Sequence, residues 1–246
     1  EKAVGGVYDL EGLSLVDVSG LSKPVIFSAI RRELEGKGRV VVFHMSAKTH
    51  YPLEEDLNKL FEAERQDDPI AFLDSLGGIL KGEVGPYSER KLLGEEVDIS
   101  RNRALIAFAS AKHERLFSLL DKREFDYIDV MVQRDDSPRA RVAKFAADFV
   151  CQNYQNAKLT PVPATPLADI VRALDERYLD LYSAGANVEL GLTGSKFQAV
   201  ASAVLASGRR VAQAWYLSPT EFDEKRFTRG VGEAHIYDIC LKPSSE

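Results

Sequence analysis

Two stretches of this chain run in the same order: a short apolar strand, a turn of glycine, serine and lysine, a helix, a glycine, and a second strand opening on arginine and valine. The first stretch is Leu15-Val16-Asp17-Val18, the turn Ser19-Gly20-Leu21-Ser22-Lys23, a helix from Pro24 to about Glu35, then Gly36, Gly38 and Arg39-Val40-Val41-Val42-Phe43. The second is Val188-Glu189-Leu190-Gly191-Leu192, the turn Thr193-Gly194-Ser195-Lys196, a small-residue helix to Ala206, then Gly208 and Val211 to Leu217. A strand that feeds a helix and then another strand is the unit of a parallel sheet, whose right-handed crossovers bring the turns after the strands to one edge. Both stretches then reach a proline among polar residues (Pro52, Pro219), and a loose Gly-x-Val-Gly recurs at Gly82–Gly85 and Gly230–Gly232. This is an internal repeat, with a period too long for a solenoid.

Between and around the repeats the alternation continues. Ala104 to Ala109 is an unbroken apolar run, as expected of a strand covered on both faces. Tyr127 to Val132 and Leu159 to Val162 read as further strands, and Ala234 to Leu241 as the last. Arg139 to Tyr154 carries Val142, Phe145, Ala146, Phe149 and Val150 on one helical face. A further helix begins at Pro166 and runs to about Ser183. The fold class expected is therefore α/β: a Rossmann-like, mostly parallel sheet with helices on both faces, in two related units. Leu53 to Glu64 reads as a surface helix, and Asp67-Asp68-Pro69 as a break. The charged stretch Ser88–Asn102 is the expected boundary between an N-terminal partial unit with a helical insertion, residues 1–100, and a C-terminal unit, residues 101–246.

Composition narrows the partners. The 246 residues are 45% hydrophobic and 28% charged, which suits a packed core and excludes wholesale disorder. A net charge of -6 disfavours generic binding to duplex DNA, which requires basic surface to displace counterions. A small anion in a local basic pocket is compatible with it. Cys151 and Cys240 lie in no zinc-ligand spacing, so no metal is expected, and no cofactor either. No run approaches the roughly 20 apolar residues that span a membrane, and no signal peptide is visible, so the expected location is cytoplasmic. The chain opens at Glu1 without a methionine, which suggests truncation or processing.

The two turns are the candidate sites. A helix N-terminus offers unpaired N–H groups and partial positive charge, glycine lets the backbone approach a ligand, hydroxyls cap or donate, and lysine adds a full charge. Thr193, Gly194, Ser195 and Lys196, with Ser19, Gly20, Ser22 and Lys23, form two candidate phosphate sites. Ser110, Lys112 and His113 follow another strand of the same sheet and are expected nearby. The order of residues is not that of a Walker A loop, a GxGxxG fingerprint or a GxSxG elbow. His44 and His50 are candidate acid/base groups, with ordinary partly buried histidines as the simpler reading. Trp215 and Tyr216 suit core packing before base stacking.

Residues 103–242 resemble the CARF domain, the CRISPR-associated Rossmann fold. The resemblance is carried by Ala104 to His113, by Leu192-Thr193-Gly194-Ser195-Lys196 and by Ala234 to Leu241. Family members usually show Thr-Gly-Gly-Thr-Lys at the late turn, whereas here a single Gly precedes Ser-Lys. Tandem CARF-like units resemble the SAVED sensors of bacterial anti-phage systems. The resemblance implies a sensor that binds a cyclic oligonucleotide second messenger through both Ser-Lys turns, with Ser110, Lys112 and His113 lining the pocket. A homo-oligomer, an intramolecular pseudo-dimer or an effector partner would complete it. Two other readings stand beside it: a phosphodiester-cleaving, ring-nuclease-like enzyme at the same edge, and a non-catalytic scaffold for protein assembly.

Overall fold

The computed structural model describes residues 5–10, 12–63, 68–79, 83–84, 86–94, 97–222 and 228–241. Glu64, Asp67, Gly82 and Gly85 lie outside them, and with them the end of the surface helix, part of the expected break and one copy of the Gly-x-Val-Gly.

The first part of the chain forms β1 (Gly6–Leu10), β2 (Leu13–Asp17), α1 (Lys23–Lys37), β3 (Arg39–Met45), β4 (Thr49–His50), α2 (Glu54–Ala63), α3 (Pro69–Ile79), β5 (Glu83–Val84) and β6 (Ser88–Gly94). Next come β7 (Arg103–Phe108), α4 (Glu114–Lys122), β8 (Tyr127–Gln133), α5 (Pro138–Asn153), β9 (Ala157–Val162) and α6 (Leu167–Ser183). The last part is β10 (Asn187–Gly191), α7 (Lys196–Gly208), β11 (Gln213–Ser218), β12 (Glu221–Phe222), β13 (Thr228–Arg229) and β14 (Ala234–Cys240).

Two sheets dominate. The larger has the order β6-β11-β10-β7-β8-β9, parallel except for β6, and helices pack on both of its faces. This is the Rossmann-like α/β arrangement that the alternation of elements implied. The smaller sheet has the order β1-β2-β3-β14, with β2 and β3 parallel and both edges antiparallel.

The period-two pattern of side chains sorts the packing. In β7, Ala104, Ile106 and Phe108 face one way, into a core shared with α1, α6, α7 and the inner face of the smaller sheet (Val16, Val40, Val42). Leu105 and Ala107 face the other way, onto α4 and α5. The molecule is thus layered: small sheet, then α1, α6 and α7, then the large sheet, then α4 and α5. The insertion α2–α3 packs Leu57, Leu60, Phe72 and Leu76 against Val142 and Ala146 of α5.

Local signals set the helix ends. Ser137 caps α5 by accepting the Ala140 N–H, with Pro138 in the first turn, where no N–H is needed. α1 ends at Gly38, whose φ of 69° suits glycine and whose N–H reaches Leu34 O at 2.8 Å.

Two segments depart from the sequence reading. The closing strand β14 does not join the large sheet; it pairs antiparallel with β3 of the smaller one, Tyr237 opposite Val42. Conversely β6, from the stretch read as a charged boundary, forms the antiparallel edge of the large sheet beside β11. The smaller sheet therefore takes an edge from the far end of the chain, and the large sheet takes one from the stretch just before its first parallel strand. β14 alternates, with His235, Tyr237 and Ile239 turned toward the helices and Ile236 and Cys240 exposed, so its strand character is local while its partner is not.

Candidate functional site

Strand order in the large sheet creates a crevice. From β7 the chain passes through α4 on one face to β8; from β10 it passes through α7 on the other face to β11. β7 and β10 are neighbours, so the turns after them diverge at a topological switch point, where open α/β sheets bind ligands.

At this point Thr193 is buried, and its Oγ1 donates to Phe108 O at 2.6 Å, tying the two turns together. Gly194 has no room for a side chain: a Cβ would lie 1.9 Å from Gln198 Oε1 and 2.7 Å from the Phe108 Cβ. Ser195 is the N-cap of α7 in a reciprocal capping box, its Oγ accepting from Gln198 N and its N–H donating to Gln198 Oε1 at 2.6 Å. Thr193, Gly194 and Ser195 thus build the turn, and Lys196 projects from it.

The N-terminal turn is built differently. Asp17 Oδ1 accepts the Ser19 N–H at 2.8 Å, and Ser19 Oγ accepts from Met45 N at 2.8 Å. Gly20 and Ser22 are exposed. Ser22 is the N-cap of α1 but makes no side-chain cap bond.

α1 and α7 lie side by side with their N-termini at the same edge, and their lysines cross. Lys23 Nζ donates to Leu192 O at 3.4 Å and Thr193 O at 3.2 Å. Lys196 Nζ donates to Val18 O at 3.1 Å and to Ser19 O. Neither helix carries an acidic residue in its first turn. Two helix N-termini and two ammoniums therefore concentrate positive charge in a chain that is acidic overall. Burial lowers the Lys196 pKa, opposed by Asp17.

His44 stands beside this group. Burial, then Lys196 and His235, push its pKa down to about 4, against the pull of Asp17. Its Nδ1 is buried without a hydrogen-bond partner, and its ring meets Phe197 edge-on with centroids 4.7 Å apart. Asp17, Phe197 and Gln198 were not singled out from sequence. Gln198 had a signal: Ser-x-x-Gln at a helix start is a capping box.

The turn after β7 starts beyond Phe108, whose carbonyl Thr193 holds. Ser110 Oγ donates to Lys112 O at 3.2 Å. His113 is only 5% exposed and packs edge-on against Phe117, and burial lowers its pKa. α3 lies over this turn: Asp74 acts on His113, and Gly77 approaches Glu114. Burial, then Arg139 of α5, lower the pKa of His50. Trp215 is buried and donates to the carboxylate of Glu189, which also pairs with Arg103 at 2.8 Å.

A cavity of about 470 Å³ lies at the start of β7, lined by Arg103, Arg123, Phe125 and Tyr154 among others. It is away from the crossed lysines, and its arginines are already engaged: Arg103 by Glu189, and Arg123 by Glu89 and the face of Trp215. Among the described residues no group of three or more His, Cys, Asp or Glu is placed to hold a metal, and no helix is long and apolar enough to cross a membrane.

No family model matches this sequence, and no curated protein matches it either. Among solved structures the chain is similar to a Type III CRISPR defence DNA nuclease activated by cyclic oligoadenylate, with a TM-score of 0.39 and 14% identity. That similarity covers 92% of this chain and 39% of the nuclease chain, so this chain spans well under half of its length.

Proposed function

We propose that the edge shared by the two Ser-Lys turns binds a small polyanionic nucleotide, a cyclic oligonucleotide, and that the chain is the sensor part of a defence protein. The observation that carries this reading is the meeting of two helix N-termini and two crossed lysines, with no acid in either first turn. Such a site favours multiple negative charges over one. Lys23 and Lys196 would hold phosphate oxygens, with Gly20 and Ser22 on the exposed side. Thr193, Gly194 and Ser195 would shape the turn, and Ser110, Lys112 and His113 would flank it from the second strand of the crevice. The two-unit division, 1–100 and 101–246, belongs to the same proposal, with β6 and β14 exchanged between units.

The test is a thermal-shift screen against cyclic di-, tri-, tetra- and hexanucleotides, with Lys23→Ala and Lys196→Ala alongside. A ligand that binds only the folded chain must raise its melting temperature. Selective stabilisation lost in both variants supports the sensor. No shift with any nucleotide removes the reading and leaves the assembly scaffold.

One feature favours a second reading. His44, held neutral by burial beside Lys196, has the form of a proton acceptor next to a charge stabiliser, as phosphodiester cleavage requires. Chromatography of a bound cyclic nucleotide after incubation separates the two: turnover abolished by His44→Gln makes the chain an enzyme, and an intact ring makes it a sensor.

A further inference from the structure

We propose that the crossed lysines are a latch between the two sheets, and that an anion seated between the turns opens it. The opening half rests on the anion-binding reading above. The latch itself rests on four donor bonds. Each lysine stands at the start of a helix that follows a strand of one sheet, and donates to carbonyls at the end of a strand in the other. Lys23 follows β2 and holds Leu192 and Thr193 beyond β10; Lys196 follows β10 and holds Val18 and Ser19 beyond β2.

Reciprocity makes the device cooperative. Both lysines bridge the same two turns, so a movement that parts the turns breaks both sets of bonds together. The turns themselves are firmly tied. Val18 N donates to Phe43 O, Ser19 Oγ accepts from Met45 N, and Thr193 Oγ1 holds Phe108 O. Displacement of a turn must therefore carry its strand end with it. The core between the sheets, centred on Ile26, Phe27, Ile30, Ala199, Ala203 and Val200, remains packed, so opening is a small shear at one edge.

Ionised oxygen outcompetes carbonyl oxygen for an ammonium. The lysine–carbonyl bonds are already charge-assisted on one side; a phosphate oxygen adds the attraction between two full opposite charges. A lysine head is a compact charge on a flexible stem and can swing to a phosphate while its helix stays formed. The desolvation of Lys196 adds to the pull, since an anion relieves the cost of its buried charge.

The experiment is lysine side-chain NMR on the full chain, wild type, Lys23→Met and Lys196→Met, with and without cyclic tetra-adenylate as the probe. Without the probe, Lys23→Met shifts the Lys196 signal and Lys196→Met shifts that of Lys23. With it, both signals move together over the concentration range that raises the melting temperature. The latch is overturned if each variant leaves the other lysine's signal in place. Its opening is overturned if the probe stabilises the protein while both signals stand still. A probe that gives no thermal shift ends the binding reading, and the opening with it, while the cross-shift between variants still decides the latch. Should a variant fail to fold, a pH titration of the wild type serves: Lys196 loses its proton below the ordinary lysine range, and the Lys23 signal must follow that step. A Lys23 signal indifferent to it overturns the latch.

Discussion

Lys23 and Lys196 each donate to the backbone just upstream of the other, so two helices from distant parts of the chain are joined head to head by exchanged ammoniums. Hydrogen bonds that involve a charged group contribute about 1.5–3 kcal/mol when partly shielded. Lys23→Met and Lys196→Met should each lower stability, toward the lower end of that range because both heads retain some contact with solvent. The double variant should lose less than the sum of the two, since groups sharing one set of contacts are not additive. Urea unfolding of the four proteins measures this. Strict additivity would mean that the lysines act independently.

The two N-cap serines should behave oppositely. Ser195 is locked in a capping box, and Ser195→Ala should cost about 0.5–2 kcal/mol. Ser22 is exposed and makes no side-chain cap bond, so Ser22→Ala should leave the urea midpoint nearly unchanged. If Ser22 contacts ligand, the same variant weakens nucleotide binding without touching stability. A comparable loss of stability in both variants would contradict the asymmetry.

Much of this architecture is legible in the sequence, and its limits are physical. Ala104 to Phe108 reads as a buried strand because a parallel strand covered on both faces must be apolar throughout. The Ser-Lys turns read as helix starts because glycine, hydroxyl and proline mark them locally. β6 was hidden: Ser88, Arg90 and Lys91 face solvent at a sheet edge, Glu89 turns in only to pair with Arg123, and these residues carry no apolar period. β14 was recognisable as a strand, but its pairing with β3 spans the whole chain, and strand partners are chosen by tertiary packing. The lysine exchange is a non-local contact of the same kind. His113 is expected near the site because its turn follows a strand of the same sheet; its burial beneath α3 is not legible, because that helix comes from a distant segment.

Glu189 should be the most sensitive polar residue in the large sheet. It is 1% exposed, and its carboxylate accepts from Arg103 and from Trp215 Nε1. Removing one partner of a buried ion pair costs about 3–5 kcal/mol. Glu189→Ala should fall at the lower end, because Arg103 reaches solvent, and Glu189→Gln should cost less, since it keeps an acceptor for the indole. Trp215 is the only tryptophan, so its fluorescence reports both the unfolding midpoint and the loss of the indole bond. A Glu189→Ala protein as stable as wild type would show that the network is not structural.

Acid should weaken the fold in two stages, and His44 should account for part of the first. Its folded pKa, about 4, lies below the value near 6.5 of an unfolded histidine. The unfolded chain therefore binds more protons as pH falls, and the stability present above pH 6.5 is lost between there and about 4, then levels off. His50 and His113, also lowered by burial, act in the same direction. The groups that tune His44 are Lys196, His235 and His50, which oppose its protonation, and Asp17, which favours it. The second stage belongs to carboxylates held low by their partners: Glu33 by Ser14 and Arg32, Asp238 by Arg39, Asp98 by Ser100. These lose their contribution at lower pH. Urea midpoints measured from pH 7.5 to 3.5 should show wild type and His44→Gln converging between pH 6.5 and 4 and running parallel below it. Curves parallel throughout would place the acid sensitivity elsewhere than in His44.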